Sequence, residues 1–243
     1  MKILIAFLCI LAAFLGLNLI FFLGLLLISL PVKEQPIKEQ KPIYRWACVA
    51  FSIWACGMAG VRIHMSGEQL IPKDGRFVFV CNHRSLFDPL TAIVALRQYN
   101  VSFISKPSNM KLPVIGKLAW GAGYLPIDRE NDRNALKTIV QAVKYLKEDI
   151  CSIGIYPEGT RSRGEGMLPY HAGSFKLPQK AGVPIVIASS RNTDQVFKNI
   201  FRRRTDVYLD ILDVIPADRV CASDTTELSE YAHRLAEENL YGK

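Results

Sequence analysis

The pattern of apolar and polar positions divides the chain in two. Residues 3–30 carry no charged side chain. As a helix this run would be about 42 Å long, more than the roughly 30 Å of a bilayer's hydrocarbon core. It is too long for the apolar region of a signal peptide, and no small-residue cleavage site follows, so a retained anchor is expected. Residues 31–45 are polar, with Lys33, Lys38, Lys41 and Arg45 set against Glu34 and Glu39. That basic excess suits the cytoplasmic side of a membrane. Residues 46–61 form a second, shorter apolar run with Trp46 and Trp54, a residue type that favours the membrane interface. A tilted span, a helix lying in one leaflet and a core helix all fit. One-leaflet embedding is the reading preferred here.

From residue 62 the pattern changes to alternating short apolar runs and amphipathic stretches. Strands are expected over 61–64, 77–81, 101–105, 153–156 and 184–188. A further strand over 207–214 alternates apolar and polar residues and suits a sheet edge. Helices are expected over 89–96, 131–149, 174–181 and 225–241, with Pro178 ending or kinking the third. Within 131–149, Leu136, Ile139, Val140, Val143 and Leu146 recur at helical spacing. The alternation predicts an α/β fold, a mixed central sheet flanked by helices, with an N-terminal membrane-associated helical region. Residues 1–61 would anchor, and residues 62–243 would form the domain that carries the chemistry.

Composition narrows the partners. The chain has 243 residues, is 50 % hydrophobic and carries a formal net charge of +8. It shows no nucleic-acid-binding motif, so lipid head groups and phosphorylated substrates are the expected acidic partners, with no nucleic acid. The cysteines at 9, 48, 56, 81, 151 and 221 form no CxxC and sit in or beside apolar runs. They read as buried small hydrophobes, not as a disulfide or metal framework. His64, His171 and His233 lack metal-ligand spacing, and no zinc, Walker or GxSxG signature occurs.

Candidate chemistry begins at Asn82-His83-Arg84-Ser85-Leu86-Phe87-Asp88, which follows the expected strand 77–81. Histidine titrates nearest neutrality, and a carboxylate on its second nitrogen would fix the tautomer and stabilise the imidazolium. Five residues along a helix turn about 500°, so His83 and Asp88 can pair only if the segment bends. Asp88-Pro89 looks like a helix start, and Ser85 with Asp88 three residues on is a rival start of capping-box type. On residue types alone, a loop histidine beside a capping aspartate is the favoured reading. Tyr156 to Arg163 adds a flexible Gly159 and the donors Thr160, Arg161, Ser162 and Arg163, a set suited to phosphate. Arg129 at the end of 123–129 and Lys106 after 101–105 are further phosphate candidates, although each also suits a solvated surface. Residues 197–204 interleave aromatics with basic residues and would suit either an anionic bilayer surface or a solvated loop.

Together these motifs resemble the 1-acylglycerol-3-phosphate O-acyltransferases, the glycerolipid acyltransferases with an NHxxxxD box. Asn82-His83-x4-Asp88 is similar to the first box, Gly123 to Arg129 to the second, Tyr156 to Ser162 to the third and Val183-Pro184-Ile185-Val186 to the fourth. The resemblance runs in order over about residues 60–215. It implies transfer of an acyl chain from acyl-CoA or acyl-carrier protein to the sn-2 hydroxyl of lysophosphatidic acid, with no metal and no resident cofactor. It also implies His83 and Asp88 as catalytic residues, with Glu158, Gly159, Thr160, Arg161 and Arg129 on the acceptor. Two segments depart from the usual pattern, Lys106-Pro107-Ser108-Asn109 and Ile187-Ala188. Another lysophospholipid or amino-acid lipid as acceptor, and a lipid ester or thioester hydrolase, are the alternative activities. A lipid-binding protein with a dead site is the alternative class.

Overall fold

A computed structural model describes residues 1–128, 131–164, 166–200, 202 and 204–242. Helices α1 (Lys2–Ser29) and α2 (Pro42–Met58) precede strand β1 (Val61–Ser66). Then come β2 (Val78–Cys81), α3 (Phe87–Ala95), β3 (Val101–Ser105), α4 (Pro107–Met110), α5 (Ile115–Gly121) and β4 (Leu125–Pro126). The chain continues through α6 (Asp132–Lys147), β5 (Ser152–Ile155), α7 (Lys176–Ala181), β6 (Ile185–Arg191) and α8 (Val196–Asn199). It closes with β7 (Thr205–Ile215), α9 (Ala217–Ala222) and α10 (Thr225–Tyr241).

The strand order is β1-β7-β6-β2-β5-β3-β4. From β6 to β4 every neighbouring pair is parallel, whereas β7 runs antiparallel to β6 and parallel to β1. β2 and β5 are buried along their whole length, as central parallel strands covered on both faces must be. Side-chain alternation sends Val78, Val80, Ile153 and Ile185 to one face, covered by α6, α7, α9 and α10. Phe77, Phe79, Cys81 and Phe103 point to the other, against Ala92 and Leu96 of and just beyond α3. After β2 the chain crosses β5 to reach β3, and after β5 it crosses β2 to reach β6. β2 and β5 therefore flank a topological switch point, where open α/β sheets form their crevice.

Several sequence expectations need correction. The strand expected at an edge, β7, is internal; β1 and β4 are the edges. Its alternation arises because only part of its length is covered on both faces. In α6 the stripe packed on the sheet runs through Ile139, Ala142, Tyr145 and Leu146, and Leu136 and Val140 are exposed. Cys9 and Cys221 are exposed, while the other four cysteines are buried. Pro178 does not kink α7: it is the third helical residue, where an N–H would have no intrahelical partner. Helix α3 begins two residues before Pro89, so the proline is again in the first turn.

Helix α2 lays Ala47, Cys48, Ser52 and Cys56 inward and leaves Trp46, Ile53 and Met58 exposed. The last third of α1 packs on it, through Leu25 against Ala47 and Cys48, and Trp54 Nε1 donates to Asn18 Oδ1 at 2.8 Å. Residues 1–15 of α1 are all exposed. α1 is long and apolar enough to cross a bilayer.

One glycine sets the packing beneath the sheet's carboxyl edge. A Cβ on Gly154 of β5 would lie 2.4 Å from Phe103 Cε1, a distance no real contact sustains. Gly154→Val is expected to cost about 1–3 kcal/mol through overpacking. Chemical denaturation of the detergent-solubilised protein measures this, and a Phe103→Leu background should recover part of the loss.

Candidate active site

The motif residues gather where β2, β5 and β6 end. Asn82, fully buried, continues β2 by clasping β6: its Oδ1 accepts from Ser190 N at 2.7 Å and its Nδ2 donates to Ser190 O at 3.1 Å. The chain then turns sharply before α3. The turn is built on Asp88, whose Oδ2 accepts from the backbone N–H of Arg84 and of Ser85, each at 2.6 Å. Ser85 Oγ meanwhile accepts from Phe87 N at 3.2 Å. The back-bond from Asp88 to Ser85 is the acidic half of a capping box, so the local structure follows the Ser85 start.

This turn brings His83 Nδ1 to 2.9 Å from Asp88 Oδ2. Asp88 Oδ1 accepts from the Thr193 hydroxyl, which follows β6. The carboxylate is wholly buried, and every contact it makes requires it to accept. Nδ1 of His83 must then carry the proton, which leaves the lone pair on Nε2. The ring is 18 % exposed and stacks on Tyr156, with centroids 4.5 Å apart and planes at 27°. Tyr156 in turn stacks on Phe103 at 6.0 Å. Burial, reinforced by neighbouring Cys81 and Asp88, pushes the Tyr156 phenol well above its ordinary pKa, and its hydroxyl has no hydrogen-bond partner among the described residues.

Glu158 differs from the sequence expectation. Its side chain is buried, with Oε1 accepting from His83 N at 2.6 Å and Oε2 from Leu168 N at 3.0 Å. Burial pushes its carboxyl pKa up, against the pull of those two N–H donors. Both oxygens are spent on backbone, so Glu158 braces the histidine instead of facing an open site. Ser162 completes the brace: its N and Oγ donate to His83 O at 2.8 and 3.2 Å.

Gly159 adopts φ +73° and closes a turn on Tyr156 O. It stands between two depressions. One is a cleft of about 530 Å³ lined by Arg84, Leu86, Arg161, Arg163, Phe197 and Lys198. Arg161 makes no hydrogen bond or ion pair among the described residues, whereas Arg84 lies 3.8 Å from Asp194. The other is an apolar groove of about 380 Å³ lined by Ile104, Ile127, Ile139, Ile155 and Leu177, with Tyr156 and Gly159 at its head. Thr160 is exposed beside Arg161. Lys106, exposed at the end of β3, lines neither depression, and Arg129 lies outside the described residues. Among the described residues no group of three His, Cys, Asp or Glu side chains could hold a metal ion.

Thr193, the bracing of His83 by Ser162 and the stacking of Tyr156 are what sequence reasoning missed. Thr193 is 105 positions from Asp88 and carries no motif; only the sheet order puts β6 beside β2.

Residues 62–190 match the family model described as Acyltransferase. The 1-acyl-sn-glycerol-3-phosphate acyltransferase of Haemophilus influenzae is 32 % identical over 177 residues, covering 71 % of this chain and 73 % of that protein. The protein of the same name from Borreliella burgdorferi is 33 % identical over 187 residues, covering 76 % and 70 %. The crystal structure of a 1-acyl-sn-glycerophosphate acyltransferase from Thermotoga maritima superposes with a TM-score of 0.71 over 93 % of this chain and 90 % of that one, at 22 % identity, and so shares the fold. A family model spanning the whole run from β1 to β6, together with relatives aligned over most of their own length, means that this chain belongs to the acyltransferase family, alongside the 1-acyl-sn-glycerol-3-phosphate acyltransferases.

Proposed function

We propose that the protein acylates the sn-2 hydroxyl of 1-acylglycerol-3-phosphate, using an acyl thioester carried on CoA or on acyl-carrier protein, and releases phosphatidic acid. The observation that carries this reading is the Nε2 lone pair of His83, left available by an Nδ1 bond to a carboxylate that can only accept, one residue from the Arg84 that lines the cleft. Nε2 takes the proton of the acceptor hydroxyl as its oxygen attacks the thioester carbonyl. The tetrahedral adduct collapses, the C–S bond breaks, and the imidazolium returns its proton to the leaving thiolate. Asp88 holds the tautomer and stabilises the cation between these steps. A thioester is already activated, so the reaction as proposed uses no metal and no resident cofactor.

Arg161, unpaired and bordering the cationic cleft, supports a role on the acceptor phosphate, with Thr160 beside it and Gly159 letting the backbone approach. Arg129 and Lys106 belong to the same proposal as outer phosphate ligands. Glu158 joins it as the residue that positions His83, not as a phosphate ligand. The apolar groove under Tyr156 offers space for an acyl chain. The basic connector ahead of α2 favours placing residues 62–243, the catalytic domain, on the cytoplasmic face, with residues 1–61 as the anchor.

His83→Ala is expected to abolish acyl transfer in a purified, folded protein, measured as radiolabelled phosphatidic acid. Near wild-type turnover would end the proposal. Asp88→Asn keeps the size of the side chain but turns a donor toward the turn, and it should lower kcat by about 10³-fold or more with the donor KM little changed. Arg161→Ala should raise the acceptor KM about tenfold, as expected for a lost charge-assisted contact, and leave the thioester KM near wild type. An unchanged acceptor KM would remove Arg161 from the site.

A further inference from the structure

We infer that the rim of the cleft, formed by Leu86 and by α8 with the residues after it, is a second membrane-docking surface that seats on anionic lipid. Its relevance to catalysis rests on the acyl transfer proposed above. The argument starts from the direction of α1. That helix runs antiparallel to α2, since Leu25 meets Ala47 and Cys48 while Asn18 meets Trp54. The beginning of α2 is tied to the amino ends of the parallel strands. Gln40 Nε2 donates to Ala122 O, and Arg45 to Arg97 O, both ahead of strands β4 and β3. The end of α2 lies at their carboxyl ends, where Cys56 and Ala59 pack with Phe87 and Val196. The exposed part of α1 therefore leaves the domain on the active-site side. From Asn18 to Lys2 it reaches about 24 Å further, into whatever the cleft mouth faces.

On that same side Leu86 is 50 % exposed, Phe197 54 % and Ile200 39 %. Phe197 is not a stray side chain: its ring meets the edge of Phe87 at 5.2 Å, so the apolar rim is braced against the start of α3. The cations around it, Arg161, Arg163, Lys198 and Arg202, have no acidic partner among the described residues. Asp194, the one acid lining the cleft among the described residues, is engaged by Arg84 and Gln195. Apolar tips ringed by unpaired cations complement an anionic lipid surface, with the cations on head groups and the tips at the acyl boundary. Docked this way, the rim places the cleft level with the head groups of an acceptor that never leaves the bilayer.

The test compares two acceptors on the full-length protein in vesicles of phosphatidylcholine with about 30 % phosphatidylglycerol, a composition that gives an anionic surface. One acceptor is long-chain 1-acylglycerol-3-phosphate within the vesicle, and the other a hexanoyl analogue dissolved as monomers. The variant Ile200→Glu should lower kcat/KM on the vesicle acceptor about tenfold and leave the monomeric acceptor within about twofold, since only the first depends on surface seating. Arg202→Glu should abolish stimulation by phosphatidylglycerol. Equal losses on both acceptors would assign the segment to the site or the fold. No loss on vesicles, or a loss confined to a protein-carried thioester donor, would equally overturn the docking surface. A wild type that acylates neither acceptor would instead refute the proposed reaction.

Discussion

A buried carboxylate is tolerated only when its lone pairs are taken, and the active-site end of this fold is arranged so that Asp88 meets that condition. Its donors come from three places: the backbone of the turn at Arg84 and Ser85, the ring of His83, and the hydroxyl of Thr193 beyond β6. The same contacts that make burial affordable also fix the turn, the tautomer and the spacing of β2 and β6. Loss of the Thr193 hydroxyl would leave Oδ1 without a partner among the described residues, at a cost of about 1–3 kcal/mol, whereas Oδ2 keeps two donors if any one of its three is lost. Stability and chemistry are therefore not separable at this residue.

A second constraint acts on the ring from below. Gly154 leaves room for Phe103, Phe103 supports Tyr156, and Tyr156 lies flat under His83. Stacked between His83 and Phe103, Tyr156 forms a platform beneath the imidazole. Glu158 and Ser162 hold the backbone of His83 on either side of its peptide. The third sequence block thus contributes to the site in two ways. Tyr156, Glu158 and Ser162 position the histidine, while Arg161 lines the cleft and Gly159 the apolar groove.

Much of this was legible in the sequence because it is local. The run at Val78–Cys81, the bend forced by the five-position step from His83 to Asp88, and the apolar start of β6 over Ile185 to Ala188 each announce themselves over a few positions. Signals that depend on strand neighbours were not legible. The alternation of β7 looks the same whether it lies at an edge or beside β1, and Thr193 becomes a partner of Asp88 only because β6 lies against β2. Glu158 shows a different limit. An acid next to Gly-Thr-Arg suggests a ligand from residue type alone, and only burial reveals that its oxygens already belong to two backbone amides. Leu136 and Val140 fit helical spacing, yet the docked face of α6 is set by Ala142 and Tyr145.

The proposed reaction also explains why the anchor and the cleft face the same way. Lifting a long-chain lysolipid out of a bilayer costs about 0.8 kcal/mol for each methylene exposed to water. An enzyme that had to extract its acceptor would need to recover that cost within its own groove before any chemistry began. Here α1 leaves the domain beside the carboxyl ends of β2 and β6, so with α1 in the bilayer, as proposed, the strand ends that hold His83 and Thr193 would sit nearest the membrane. The parallel sheet places the catalytic turns at one edge, and the antiparallel run of α1 against α2 decides which edge meets lipid. Reversing that helix pairing would leave every distance around Asp88 intact and still turn the cleft toward water.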